Sequence, residues 1–327
     1  MLRFVFKRLL LMVLVLLGVL LFVFTVSRLS GDPIPSLLGD SYTQEEYNDM
    51  RAKLGLDAPL PVQFFNSVRR MVTEFDLGTS YTFKNAVKDE VTVRLPLSLS
   101  LAMIAMLWSL PFGMLCGIIS AIRQYKPEDY TLTTLAMICA SMPSFWVGLM
   151  LMLLFSLTLK LVPATGLDSW RSYILPCVAL GLHPVANFCR MTRSTMLEVI
   201  RQDYIRTARS KGLSETRVIV NHALQNSAIP IITLLGTQIG IAIGNAAVVE
   251  SVFNIPGLGS YMIYGITMGD YPIVQGSVLV FSVVVCCLNL VVDILYGFID
   301  PRIKARYVSS GAKLRLFNKN TAIAPTK

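Results

Sequence analysis

The sequence predicts an all-α polytopic membrane protein with six transmembrane helices and a small helical extracytoplasmic domain between the first and second. Three observations point there. Hydrophobic residues make up 54% of the 327 positions and charged residues only 15%, a balance that suits a chain surrounded by lipid better than a soluble domain. Six apolar segments, near 9–29, 97–122, 133–160, 173–191, 228–250 and 273–298, each approach the roughly 20 residues a spanning helix needs. Lys and Arg gather at alternate ends of those segments, as the positive-inside rule requires of cytoplasmic loops.

The first element, residues 1–30, begins with Arg3, Lys7 and Arg8 and continues as an apolar run from Leu9 to Val26. The run is long enough to span and no small-x-small cleavage site closes it, so it reads as a retained helix with a cytoplasmic N-terminus. Residues 31–96 mix both signs of charge and form the extracytoplasmic segment. Thr43 and Glu46 fit a capping box, and Gly55 ends that helix near Leu54. A second helix starts near Pro61, with Val62, Phe65, Val68, Met71 and Val72 as its apolar face, and a third runs over Asn85–Val93. Such a cap suits either a lid on the helix ends or a platform for an extracytoplasmic partner.

Residues 97–300 are the remaining five spans. Pro111, Pro143, Pro176 and Pro184 interrupt them, which membrane helices tolerate because neighbours satisfy the freed backbone groups. The fourth span is the weakest in pattern. Arg123 and Lys126, the basic residues of an insert at 192–227, and the tail 301–327 with Arg302, Lys304, Arg306, Lys313 and Arg315 all fall on one side if six helices alternate. That side is cytoplasmic, and so is the C-terminus. The net charge of +9 is therefore topological, and nucleic acid is not among the expected partners; the lipid membrane is. Cys116, Cys139, Cys177, Cys189, Cys286 and Cys287 show no ligand spacing and read as small apolar residues, so no metal site is expected.

In the fifth span Gly236, Gly240 and Gly244 recur every four residues and share one narrow stripe that admits another helix closely. Gln238 and Asn245 project from nearly the opposite side. Ser282, Cys286, Asn289 and Asp293 follow one face of the sixth span. Gln238, Asn245, Ser282 and Asn289 are candidates for lining a pathway, with interhelical hydrogen bonding as the plainer use. Asp293 is expected to pair with Arg190 or Arg193, and neither it nor Glu250 sits where a midplane proton relay would. The two histidines, His183 and His222, have no convergent partners, so no catalytic residue is assigned. A secondary transporter would call for midplane carboxylates and a repeated half, and neither is visible.

The insert Asp203–Pro230 reads DYIRTARSKGLSETRVIVNHALQNSAIP. Asp203–Lys211 suits a helix, Gly212 breaks it, and Glu215–Leu224 suits a second. Arg206-Thr207-Ala208, three residues, then Gly212 occupy the frame of the coupling motif of ATP-binding-cassette importer permeases, in which Glu-Ala-Ala is followed by three residues and Gly. Only Ala208 and Gly212 match the general motif, and Leu224-Gln225 stands where it has Leu-Pro. The stretch is very similar, however, to the version in the peptide/nickel permease subfamily. Leu54-Gly55-Leu56, Asp76–Ser80, Glu250–Phe253 with Pro256–Gly259, Asp270-Tyr271-Pro272 and Asp300-Pro301-Arg302 agree with it as well, so the resemblance extends to about Arg306. It resembles the first of the two permeases of a dipeptide, oligopeptide or nickel importer. The resemblance implies alternating access, a second homologous permease, two ATPase subunits and an extracytoplasmic substrate-binding protein in a bacterial plasma membrane. It implies no cofactor on this chain, ATP and Mg being used by the ATPases; no GxxxxGK[ST] loop occurs in the sequence. Arg206, Thr207, Ala208, Arg209, Lys211, Gly212 and Glu215 become the residues expected to meet an ATPase.

Overall fold

The computed structural model describes residues 2–29, 31–39 and 42–299. The expected tail 301–327 and the Asp300-Pro301-Arg302 motif lie outside the described residues. The elements are α1 (Leu2–Leu29), α2 (Ile34–Leu38), α3 (Gln44–Lys53), α4 (Leu60–Thr73), α5 (Val87–Ile122), α6 (Pro127–Ser141), α7 (Ser144–Leu151), α8 (Ile174–Ile200), α9 (Asp203–Ser210), α10 (Glu215–Arg217), α11 (Gln225–Val252), α12 (Leu258–Met268) and α13 (Tyr271–Ile299). Among them are five stretches of helix long and apolar enough to cross a membrane, or six when the bent pair of α6 and α7 is counted as one.

That bent pair has a local cause. Met142 precedes Pro143 and is extended (φ −82°, ψ 126°), because the proline ring bars the helical region to the residue before it. The two halves meet at 101°, and α7 then runs into a π-helical turn, Met152–Thr158.

The weakest segment in sequence, α8, is the most enclosed of the long helices. It packs on α5, α6, α7 and α11. Its approach to α5 is set by glycines. A Cβ at Gly113 would stand 2.7 Å from the Val185 carbonyl oxygen, one at Gly117 2.6 Å from that of Cys189, and one at Gly181 2.5 Å from Ser109 Oγ. Ser109 Oγ donates to the Gly181 carbonyl at 2.9 Å and Trp108 Nε1 to that of Cys177 at 3.2 Å. His183 Nδ1 lies 3.2 Å from the Ala140 carbonyl oxygen, joining α8 to α6. Many apolar side chains of α1, among them Leu10, Val13, Leu14 and Phe22, are exposed, as lipid-facing positions are. One polar contact of α1 is Arg8 to Asp293 of α13 at 3.0 Å. The expected pairing of Asp293 with Arg190 or Arg193 is therefore corrected: Arg190 binds Asn187 at 2.6 Å, and Arg193 turns to α6.

At the opposite end from α9, two buried carboxylates tie loops to helices. Asp270 accepts from Ser80 Oγ at 2.7 Å and from the Thr82 amide at 2.9 Å. Glu250 accepts from the Ser260 amide at 2.9 Å in the first turn of α12, where a helix favours negative charge. The Asp270 bonds join the Asp76–Ser80 and Asp270–Pro272 motifs, and Leu258 of the Glu250–Gly259 motif shares an apolar cluster with Leu77 and Ile273 beside them. The segment before α5 differs in part from expectation. The capping box forms, with the Thr43 amide donating to Glu46 at 2.8 Å, and its hydrogen bonds from Thr43 hold the Glu46 carboxyl below its ordinary range. The helix expected over Asn85–Val93 is instead the first turns of α5 from Val87 on, and α12 was not expected. In α4 the residue turned inward is Gln63, whose Nε2 donates to the carbonyls of Leu56 (3.0 Å) and Ala58 (2.7 Å), while Val62, Phe65 and Val72 are exposed.

The α5–α8 contact makes a sharp prediction. Gly117→Val places carbon against backbone and should cost about 1–3 kcal/mol, lowering the thermal midpoint of the isolated chain in detergent. Gly244→Val, where no atom lies within 4 Å, should leave it unchanged; equal shifts for the two would refute the assignment.

Candidate functional site

The insert folds as a short helix, a left-handed glycine and a second helix. Ile205 and Ala208, three residues apart on α9, are 0% and 7% exposed and pack on Ala121 of α5, Met196 of α8, and Val218 and Ala223 beyond α10. The other face of α9 is polar and exposed. Gly212 has φ +77° and nothing within 4 Å of an added Cβ, so its glycine identity answers to backbone conformation rather than to crowding. Its amide donates to the Arg209 carbonyl at 2.9 Å, and that of Lys211 to the Thr207 carbonyl at 3.1 Å. After Gly212 the chain turns into α10, which continues as the π-helical stretch Val218–Leu224 and then α11.

Arg206, Thr207, Arg209, Lys211, Gly212 and Glu215 are all exposed on this projection. Ala208 is the exception: it faces the bundle, so it seats the helix and offers no surface to a partner. Arg209 and Glu215, expected to meet outside charges, bind each other across the turn, Nε to Oε1 at 2.8 Å and Nη2 to Oε2 at 3.3 Å. An exposed pair of this kind is worth about 0–1 kcal/mol, and it bridges the two arms of the turn that Gly212 makes. Thr207 Oγ1 donates to the Asp203 carbonyl at 3.0 Å.

Directly behind the seat lies a cluster that sequence reasoning missed. Asp129, 2% exposed in the first turn of α6, accepts from Arg193 Nε (Oδ1, 2.7 Å) and Nη2 (Oδ2, 2.8 Å). The Tyr125 amide donates to Oδ2 at 3.0 Å, and Ser120 Oγ donates to Oδ1. The sequence signal was an acid in the first turn of a helix bounded by Pro127, overlooked because Asp293 stood in a longer polar stripe.

The glycine stripe of α11 meets side chains rather than a backbone. A Cβ at Gly236 would lie 2.7 Å from Val292 Cγ1 and one at Gly240 3.4 Å from Val285 Cγ1, both on α13, while Gly244 is open. Glycines that do meet backbone include Gly113 and Gly117, a GxxxG pair in α5 that sequence reasoning passed over, and Gly259, where a Cβ would lie 2.3 Å from Ala247 Cα. Gln238 is 4% exposed and its Oε1 has no hydrogen-bond partner among the described residues; Asn245 and Asn289 are exposed and Ser282 is half-buried. No hydrogen bond joins these four to one another among the described residues. No group of His, Cys, Asp and Glu there is arranged to hold a metal ion.

A bundle of membrane-length helices with a polar helix–turn–helix seated on one end defines a class: the membrane permease subunits of multi-component importers. The family described as "Binding-protein-dependent transport system inner membrane component" matches residues 113–305, and the N-terminal component of such systems matches residues 1–102. The chain belongs to this family and is a permease subunit of an ATP-binding-cassette importer, a multi-pass protein of the bacterial inner membrane. The glutathione transport system permease protein GsiC of Salmonella choleraesuis (strain SC-B67) is 41% identical over 306 residues, covering 93% of this chain and 99% of that protein. GsiC of Escherichia coli (strain K12) is 40% identical over the same shares. In fold, the chain is similar to a structure of the MetNI methionine transporter in inward-facing conformations, with TM-score 0.56 and 16% identity over 64% of this chain and 96% of that one. Importers of this class take their energy from ATPase subunits and their solute from a binding protein, so ATP is hydrolysed outside this chain.

The seat yields a local prediction. Ile205→Ala removes the buried anchor of α9, a loss of about 2–5 kcal/mol, and should speed tryptic cleavage at Arg206 and Arg209 several-fold. Arg209→Lys, which keeps a cleavable residue on the exposed face, should not; equal cleavage in the two variants would show that α9 is not held by Ile205.

Proposed function

We propose that this chain spans the membrane six times, with both termini and the α9–Gly212–α10 projection on the cytoplasmic side and residues 31–96 outside. It forms half of a translocation pathway with a second, homologous permease, and the projection docks into a cleft of an ATPase subunit. The observation that carries this reading is the build of the projection: an apolar face of Ile205 and Ala208 buried on α5 and α8, and an exposed outer face bearing Arg206, Thr207, Lys211 and Gly212. A helix fixed on one side and polar on the other passes a push into the bundle instead of absorbing it. Arg206 and Lys211 supply positive charge for register with an acidic rim. Closure of the ATPase dimer on ATP then favours the outward-open bundle, and release favours the inward-open one, provided each nucleotide state prefers one conformation.

The cargo proposed is a small peptide, on the likeness to permeases named for glutathione, itself a tripeptide. Gln238, Asn245, Ser282 and Asn289 are proposed to contribute polar groups to the pathway, where amides can exchange hydrogen bonds with a passing peptide. Gly236 and Gly240 are proposed to hold α11 against α13.

The docking role is tested by Gly212→Pro, which forbids the left-handed turn, and by Ala208→Glu, which drives a charge into the seat. In reconstituted complexes both should remain in the membrane and lose substrate-stimulated ATP hydrolysis. Normal stimulation in Gly212→Pro would remove the docking role.

A further inference from the structure

The Asp129–Arg193 cluster is more than a buried pair, because of where it stands. Arg193 is one helical turn before Met196, and Ser120 immediately precedes Ala121; Met196 and Ala121 are the residues on which Ile205 and Ala208 of α9 rest. Gly117, one turn before Ser120, lies so close to α8 that a Cβ there would be 3.1 Å from the Arg193 amide nitrogen. The cluster therefore joins three helices at a single carboxylate: α5 through Ser120, α8 through Arg193, and α6 through Asp129 itself. Beyond it, α6 runs to the Met142–Pro143 break and the 101° bend into α7.

The geometry is that of a lock. Both carboxylate oxygens are doubly used, Oδ1 by Arg193 Nε and Ser120, Oδ2 by Arg193 Nη2 and the Tyr125 amide. A guanidinium meeting a carboxylate through two parallel bonds fixes orientation as well as distance, whereas apolar side chains alone allow packed helices to slide. A looser polar tie from this corner toward the insert is Arg201 Nη2 to Gln124 Oε1 at 3.4 Å.

We propose that Asp129 is a positioning residue for transport: with Arg193 and Ser120 it locks α6 to the α5–α8 pair directly behind the seat of α9, so that motion of α9 reaches the broken span α6–α7. The inference rests on the reading of α9 as the ATPase-docking helix. The lock makes α5, α6, α8 and α9 one body, and the Met142–Pro143 break is where that body ends.

The test compares the unmodified permease, Asp129→Asn, Arg193→Lys and Gly212→Pro in the complete transporter in proteoliposomes, measuring solute moved per ATP hydrolysed. Spin labels at Thr131 on α6 and Ser210 on α9, both exposed, report the distance across the lock with and without ATP. In the unmodified protein that distance should be the same in both nucleotide states. Asp129→Asn should keep basal ATP hydrolysis, lose about ten-fold or more in solute per ATP through loss of charge-assisted bonds, and let the distance vary with nucleotide. Arg193→Lys, which keeps the charge but not the fork, should fall between; it replaces Asp129→Asn if that variant does not assemble. Solute per ATP unchanged in Asp129→Asn while Gly212→Pro is uncoupled overturns the lock alone. A nucleotide-dependent distance in the unmodified protein overturns it as well. Normal coupling in Gly212→Pro overturns the docking reading and this inference with it.

Discussion

The close approach of α5 and α8 is the constraint on which the bundle is built. In lipid, apolar side chains gain nothing from leaving water, so helices associate through tight van der Waals contact and through hydrogen bonds. Gly113, Gly117 and Gly181 let backbone meet backbone, and Ser109 and Trp108 hydrogen-bond to α8 carbonyls across the contact. Once these two helices are joined, α6, α7 and α11 pack around α8, and the seat for α9 forms where Ala121 and Met196 come together. The prolines that weaken the pattern of the fourth span belong to its most enclosed helix, where neighbours can compensate for a broken backbone bond.

The two ends of the bundle use buried charge in the same way. At one end Asp270 and Glu250 accept backbone and hydroxyl donors from loops; at the other Asp129 accepts from Arg193, Ser120 and Tyr125. Asp129 and Asp270 accept several donors each, which is what makes a buried charge tolerable, whereas Glu250 accepts the Ser260 amide on Oε2 and leaves Oε1 without a partner among the described residues.

Much of this was legible in the sequence. Apolar length predicted the long helices, the Thr43–Glu46 pair predicted the start of α3, and the Gly212 break predicted the turn of the insert, because each depends on local chemistry. What was missed depends on contacts distant in sequence. Asp293 sat in an obvious polar stripe, yet its partner is Arg8, 285 positions away. Arg193 was taken for that stripe, and only the fold brings Asp129 to it. Ala208 was grouped with the exposed motif because motif membership does not say which way a side chain points; the spacing of Ile205 and Ala208 does. The Gly236–Gly240–Gly244 series drew attention by its length, while the shorter Gly113–Gly117 pair makes the closer contact. The cap was the least legible part: of the α4 face chosen by apolar spacing, Val68 and Met71 are half-buried but Val62, Phe65 and Val72 are exposed, and the buried residue is Gln63, which donates to two loop carbonyls.

The account stands on the outer face of α9 being the surface that meets the ATPase. The most direct measurement places a photoreactive amino acid at Thr207 and, separately, at Phe65, irradiates native membranes, and identifies the adducts by mass spectrometry. The account predicts an ATPase adduct at Thr207, altered by ATP, and none at Phe65. An ATPase adduct at Phe65 with none at Thr207 would contradict it.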